Sequence, residues 1–343
     1  MTMVTVGIDL AKNVYQVHGV DSHGKTVLKQ KIKRNQLTAF FANKPPCLIG
    51  MEACSGAHYW ARLLQSQGHS VKLMAPQFVK PYVKTNKNDA ADAEAICEAV
   101  TRPNMRFVSI KSPEQQSLLS VHRARMGLIK SQTAQINQIR GLLAEFGIVM
   151  PTGKIAVFKH IPLILEDADN NLPGTFRAVL AQLYQHLTEL REHTETLEKI
   201  LKEHYKQYAL SQRIATLPGI GLLTATAIVG TIGDGTEFKN GRQLSSWLGL
   251  VPKQHSSGGR NVLLGISKRG DSYLRTLLIH GARSVICARK NSLSDDGWLG
   301  SLIHRRNTNV AAVALANKNA RILWALLTKG EEYQANKDCN LYA

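Results

Sequence analysis

The sequence predicts an α/β domain, then a long helical spacer, then a mostly helical carboxyl-terminal domain. Three observations predict it. Over residues 1–110, strand-like stretches of period two and short apolar runs alternate with helical stretches. Residues 113–147 and 176–208 repeat apolar side chains in steps of three and four. Beyond residue 209, glycine-containing turns separate apolar helical segments that carry a strong basic excess.

The first strand is Val4 to Asp9, where Val4, Val6 and Ile8 alternate with small or polar residues and define one buried face. Asp9 ends it on the opposite face. Val14 to Val20 forms a second strand and turns through Asp21-Ser22-His23-Gly24 into a third, Thr26 to Ile32. Asn35 is placed to cap a short helix through Phe40 and Phe41, stopped at Pro45-Pro46. Cys47 to Met51 is a short apolar run, a buried strand that ends in Glu52. His58 to Gln67 is helical with Trp60, Leu63 and Leu64 inward and Gly68 as terminator. Ser70 to Met74 is a strand, and Asn88 or Asp89 opens a helix to about Val100.

Three hairpin-connected strands followed by helix, strand, helix, strand, helix exclude a dinucleotide-binding fold. That fold needs a helix after nearly every strand and a glycine-rich turn after the first. The order matches a ribonuclease-H-like arrangement, which gathers carboxylates from the first strand, the fourth strand and a late helix. Asp9, Glu52, Asp89 and Asp92 fall at those places. The spacing of three puts Asp89 and Asp92 on one helix face, and alanines between them permit close approach. Clustered carboxylates suit a hard cation such as Mg²⁺. Lys80, Lys84 and Lys87 precede the pair and are candidates to hold a phosphate chain.

Lys and Arg number 43 against 25 Asp and Glu, a formal charge of +18, so a polyanion is the natural partner. Residues 1–110 carry 14 basic and 7 acidic side chains, 111–205 carry 11 and 10, and 206–330 carry 17 and 5. The middle is thus nearly neutral, as expected of a spacer. Cys47, Cys54, Cys97, Cys287 and Cys339 are scattered without metal-ligand spacing, as in a reduced cytoplasmic protein. No apolar run is expected to approach the roughly 18 residues that span a bilayer, and no signal peptide is expected before the first strand.

In the spacer (111–208), Phe176, Leu180, Leu183, Leu187, Leu190, Thr194, Leu197, Leu201, His204 and Tyr208 sustain a coiled-coil rhythm. Leu118 to Phe146 follows it less cleanly, through His122, Arg125 and Gln132. Pro151, Pro162 and Pro173 punctuate the link. An intramolecular antiparallel hairpin or a seam between subunits satisfies the pattern. The seam between subunits is favoured, because two polar-interrupted helices offer each other little apolar surface. His122, His204 and Arg125 are read as seam or solvent residues.

In the third domain (209–330), Ile214 to Gly221 has the form of a helix-hairpin-helix turn. There Pro218 stops one helix and Gly219 and Gly221 expose backbone N–H groups to a phosphate. Pro252 to Asn261 is polar and reads as a loop, in which Ser257 before two glycines presents a hydroxyl beside Lys253 and Arg260. Lys268-Arg269 leads into a helix, Tyr273 to Arg289, and a last helix spans about Asn309 to Leu327. Residues 331–343 read as a polar tail.

Taken in order, Gly7-Ile8-Asp9-Leu10-Ala11-Lys12, Met51-Glu52-Ala53, Asn88-Asp89-Ala90-Ala91-Asp92-Ala93, Leu217-Pro218-Gly219-Ile220-Gly221 and Gly249-Leu250-Val251-Pro252…Ser257-Gly258 form a recognisable set. It resembles the DEDD-type bacterial insertion-sequence transposases of the insertion sequence one-ten family, closest to the eleven-eleven branch. The resemblance spans about residues 4–330. It implies a RuvC-like domain whose Asp9, Glu52, Asp89 and Asp92 hold Mg²⁺, and a second domain whose serine attacks DNA. That serine falls on Ser257, with Ser256 as the fallback. The resemblance also implies donor and target DNA as substrates, guidance by a structured non-coding RNA of the element, and a dimeric or tetrameric assembly. A Mg²⁺-dependent structure-specific endonuclease that uses water as nucleophile is the alternative.

Overall fold

The computed structural model describes residues 3–84, 88–288 and 297–334. The chain divides into two compact units, residues 1–112 and 113–343.

The first unit is built on a six-stranded sheet. Its elements are β1 (Thr5–Asp9), β2 (Val14–Val20), β3 (Thr26–Lys33), α1 (Leu37–Ala42), β4 (Leu48–Glu52), α2 (Ala57–Ser66), β5 (Ser70–Met74), α3 (Pro76–Val79), α4 (Asp89–Val100) and β6 (Phe107–Val108). The strand order is β3-β2-β1-β4-β5-β6. β1, β4 and β5 pair in parallel, while β2 pairs antiparallel with β1 and β3, and β6 with β5. This mixed α/β order is consistent with the ribonuclease-H-like arrangement. The β2–β3 turn closes because the Asp21 carboxylate accepts from the His23 and Lys25 amides at 2.9 and 3.0 Å, while Gly24 takes φ +77°.

Each sheet face has its own cover. Val6, Ile8, Tyr15, Val17 and Ile32 join Leu37 and Phe41 of α1 and Trp60 and Leu64 of α2 in one core. On the other face lies α4, and it lies close. A Cβ at Gly7 would stand 2.2 Å from the Ala93 carbonyl oxygen, so only glycine fits there. Asn35 does not cap α1. It sits inside a 3₁₀ turn, Arg34–Gln36, whose tightening starts the helix without a side-chain cap. Asn88 does cap α4, accepting from the Ala91 amide at 2.8 Å.

The second unit contains α5 (Pro113–Ala144), α6 (Lys154–Glu166), α7 (Gly174–Gln207), α8 (Ala209–Ala215), α9 (Leu222–Ile232), α10 (Gly241–Trp247), β7 (Pro252–Ser257), β8 (Arg260–Ile266), α11 (Ser272–Ala288), α12 (Trp298–Arg305) and α13 (Thr308–Thr328). α5 and α7 form an antiparallel hairpin within the chain. Arg125 pairs with Glu198 at 2.6 Å, and Gln132 donates to the Leu190 carbonyl at 2.7 Å and to the Thr194 hydroxyl at 2.8 Å. Leu180, Leu187, Leu190, Thr194 and Leu201 are buried. The seam is therefore filled within the chain, and its polar residues Arg125, Gln132 and Thr194 are met by partners rather than by extra apolar surface.

The link between these helices is not merely proline-punctuated. It contains α6, which continues through Pro162 and sets Val157 and Ile161 against Ile136, Ile139, Leu143, Leu180 and Leu187. The remaining helices share one larger core, with Ile214, Ile228, Leu244, Leu278, Leu315 and Leu323 among its members. α13 is long and apolar enough by length and composition to cross a bilayer, contrary to expectation. Its buried side, from Ala311 to Leu327, packs in this core.

Candidate active site

The acidic positions are brought to one end of the first sheet by the strand register. β1 and β4 pair in parallel with Ile8 opposite Met51, so Asp9 and Glu52 follow as the next residues on adjacent strands, which lie about 4.8 Å apart. Both share the parity of Gly7 and Gly50, whose missing side chains would meet Ala93 and Val100 of α4. Asp9 and Glu52 therefore lie on the α4 side of the sheet. The Cys97 thiol donates to the Thr5 carbonyl, and Ala93 overlies Gly7, so α4 runs antiparallel to β1. Its first turn, with Asp89 and Asp92, is thus carried toward the Asp9 end. Burial raises the Cys54 thiol's pKa, and the charges of Glu52 and Asp9 raise it further, as expected where both acids face one loop.

The four acids converge on this end but do not close into a nest. Among the described residues, no three His, Cys, Asp or Glu side chains come within common reach of one metal ion. Mutual repulsion of bare carboxylates favours such separation. The donor set itself, four carboxylates and no imidazole or thiolate, suits a hard cation bound through oxygen.

The predicted basic neighbours are placed less favourably. Lys84 is ion-paired at 2.7 Å with Glu98, more than a turn along α4 from Asp92, and that bond raises its pKa. It is not directed at the acids, because Glu98 competes for it. Lys87 lies outside the described residues.

In the second unit, the segment expected to be a loop is an exposed β-hairpin. β7 and β8 pair antiparallel with Ser257 opposite Arg260 and Ser256 opposite Asn261. Gly258 and Gly259 turn the chain with φ +55° and +80°, the two positive values of a tight hairpin turn. The two serines are thereby separated onto opposite faces. The Ser256 hydroxyl donates to Asn261 at 2.9 Å and accepts from Gln254 at 2.8 Å. Among the described residues the Ser257 hydroxyl has no such partner, and it shares its face with Arg260 and His255. His255 was not among the residues the sequence singled out. The signal was the Gly-Gly pair between two polar runs, a hairpin mark that makes residues 255 and 257 neighbours on one face. Lys253 and Arg260 are exposed on the same hairpin.

The two glycines of the α8–α9 turn are placed differently. Gly219, at φ +89°, packs against α11: it meets Gly281 so closely that a Cβ at 281 would stand 1.8 Å from the Gly219 oxygen. Asn319 holds the turn by donating to the Pro218 carbonyl at 3.0 Å. Gly221 is exposed at the open start of α9. Lys268 and Arg269 have exposed side chains on a backbone fixed against Trp247–Gly249, where Lys268 takes φ +54° and donates its amide to the Gly249 carbonyl at 3.1 Å.

Comparison with known proteins bears on both units. Residues 6–148 match a DEDD transposase model of IS110 type, and residues 211–297 match the model described as the Transposase IS116/IS110/IS902 family. The chain is 50% identical over 337 residues to a probable family 20 transposase of Pseudomonas aeruginosa, covering 97% of this chain and 99% of that one. It is 46% identical over 330 residues to the transposase for insertion sequence element IS1111A of Coxiella burnetii, covering 96% and 91%. To the transposase for IS1328 of Yersinia enterocolitica it is 44% identical over 328 residues, covering 95% and 97%. With matches in both units and relatives aligned nearly end to end, the chain belongs to the IS110 family of DEDD transposases, enzymes that cut and rejoin DNA.

Proposed function

We propose that this transposase exchanges DNA strands through a phosphoserine–DNA ester formed on Ser257, assisted by Mg²⁺ at Asp9, Glu52, Asp89 and Asp92. The observation that carries the serine assignment is the hairpin register. It leaves the Ser257 hydroxyl unpartnered opposite Arg260 and ties Ser256 into the Gln254–Asn261 pair. In the reaction, Ser257 Oγ bonds to the scissile phosphorus, and the bond to the leaving strand's oxygen breaks. The Oγ proton passes to His255 on the same face and then to the leaving oxygen. Arg260 offsets phosphate charge, and Lys253, Lys268, Arg269 and the open start of α9 at Gly221 hold the flanking backbone. Reversal with a new strand's hydroxyl regenerates Ser257, so rejoining consumes neither water nor ATP. When bound, Mg²⁺ supplies polarisation of the phosphate and stabilisation of the attacking and leaving oxygens.

The resemblance to the family supports guidance by a structured non-coding RNA from the element, and the charge of +18 suits RNA and DNA together. The same resemblance supports a dimer or tetramer in the cytoplasm, with one subunit's acids serving another's serine. Exposed Val149, Ile155 and Leu163 around α6 give such an assembly apolar surface. The three-part organisation, a RuvC-like domain, a coiled-coil spacer and a helix-hairpin-helix transposase domain, belongs to the same reading.

The test is a labelled donor DNA incubated with Mg²⁺ and guide RNA, then denatured and resolved on a gel. Wild type and Ser256→Ala yield a protein–DNA adduct, Ser257→Ala yields none, and chelation abolishes it. An adduct that survives Ser257→Ala overturns the serine assignment. Cleavage without any adduct in wild type favours the endonuclease that uses water.

A further inference from the structure

A groove of about 540 Å³ opens in the first unit, lined by Asn13, Lys33, Arg34, Asn35, Tyr59 and Trp60 among others. Its position is set by the topology. Asn13 belongs to the loop that leaves Asp9, and Tyr59 sits in the first turn of α2, which the chain reaches directly from Glu52. Lys33 ends β3 opposite Val14 at the start of β2, so the groove lies at the same sheet end as the two acids.

Its composition is specific. Trp60 is buried and donates its indole N–H to Tyr15 at 2.8 Å, which fixes the floor. Tyr59 packs edge-on against Trp60, ring centroids 5.3 Å apart, yet stays 51% exposed. The Arg34 guanidinium lies 6.0 Å from the Trp60 ring centroid. Neither Lys33 nor Arg34 forms an ion pair among the described residues, and no acid lines the groove. Lysines along β3 guard an exposed sheet edge. That role does not account for a half-exposed tyrosine on a rigid aromatic floor with two unpaired cations at its rim.

We propose that this groove holds an unpaired base of single-stranded DNA at the end of the sheet that carries the acids. The base stacks on Tyr59, the Asn13 and Asn35 amides meet its edge, and Lys33 and Arg34 take the adjoining phosphates. An aromatic face with a basic rim binds single strands with little sequence preference. A groove of this volume admits one splayed nucleotide and is too small for a duplex. DNA is the occupant assigned because the groove lies at the acids' end of the sheet and its cations face no acid. Its α2 floor is on one face and the acids are on the α4 face, so a DNA strand held at the acids would pass round the strand ends to reach it. The inference thus rests on the acids being the catalytic ones.

The test measures binding of fluorescent oligo(dT), oligo(rU) and a duplex of equal length to the full-length protein in EDTA, where no strand is cut. Tyr59→Ala is expected to weaken oligo(dT) about tenfold, Tyr59→Phe to bind like wild type, and duplex affinity to be the same in all three. Far-ultraviolet circular dichroism confirms that each variant is folded. Oligo(dT) binding unchanged in folded Tyr59→Ala overturns the proposal, as does an equal loss on duplex. Tyr59-dependence confined to oligo(rU) also overturns it by assigning the groove to RNA. Because the assay needs neither metal nor serine, it fails or succeeds separately from the Ser257 adduct test.

Discussion

His122 shows how a single polar side chain is absorbed by the interior. Its Nδ1 lies 3.0 Å from the Tyr273 hydroxyl and its Nε2 3.1 Å from that of Thr226. Thr226 already donates to the Leu222 carbonyl at 2.8 Å, so its oxygen accepts from Nε2–H and Nδ1 accepts from Tyr273. The neutral ring satisfies both partners. Burial, then the charges of Arg125 and His204, push its pKa down to about 4 from 6.5. The folded pKa lies below the unfolded one, so the unfolded state binds the extra proton between those values. Stability is complete above about 6.5 and falls by about 3 kcal/mol as the pH drops toward 4. Urea titrations across that range should show this slope in wild type and a flatter one in His122→Gln. Equal slopes would remove His122 as the cause. The sequence read His122 as a seam or solvent residue rather than a ligand, but it is buried and its partners come from α9 and α11, distant in sequence.

At the scale of elements, the α8–α9 turn shows why glycine patterns are ambiguous in a sequence. Leu217-Pro218-Gly219-Ile220-Gly221 fits a phosphate-binding turn, yet Gly219 and Gly281 make a backbone crossing with no room for a Cβ. Gly281→Ala, normally worth about 1 kcal/mol of added helix propensity, should here destabilise by about 2–3 kcal/mol through overpacking. Gly127→Ala in α5, where a Cβ meets nothing within 4 Å, should stabilise by roughly 0.5–1 kcal/mol. Denaturant midpoints of the two variants check the opposite signs. The same limit applied to the serine segment. Its polar composition read as a loop, while the cross-strand pairing that sorts Ser256 from Ser257 exists only once the hairpin closes.

At the scale of the molecule, each unit has its own core. The first collects Val6, Ile8, Phe41, Ile49, Trp60 and Leu64, the second Ile214, Ile228, Leu244, Leu278 and Leu323. Residues 1–112 expressed alone should therefore unfold in one cooperative urea transition, with a slope of about 1–2 kcal/mol/M. A broad, gradual loss of signal would show that this unit depends on the remainder of the chain. The charge distribution follows the same division of labour: the α5–α7 region is nearly neutral and fills its seam internally.

The sequence alone determined the chain order of the first five strands of the first unit (though not β6 or the order of strands in the sheet), the strand-end and helix-start positions of its four acids, the two long helices and the basic balance. These are local periodicities and sums, which need no partner to be read. Only the tertiary structure decided that Lys84 is held by Glu98, that Gly219 is a packing glycine, that the polar link folds as α6, and that Ser257 rather than Ser256 is left unpartnered. Each of those depends on residues brought together from distant parts of a fold or across a turn, and a one-dimensional pattern carries no distance between them.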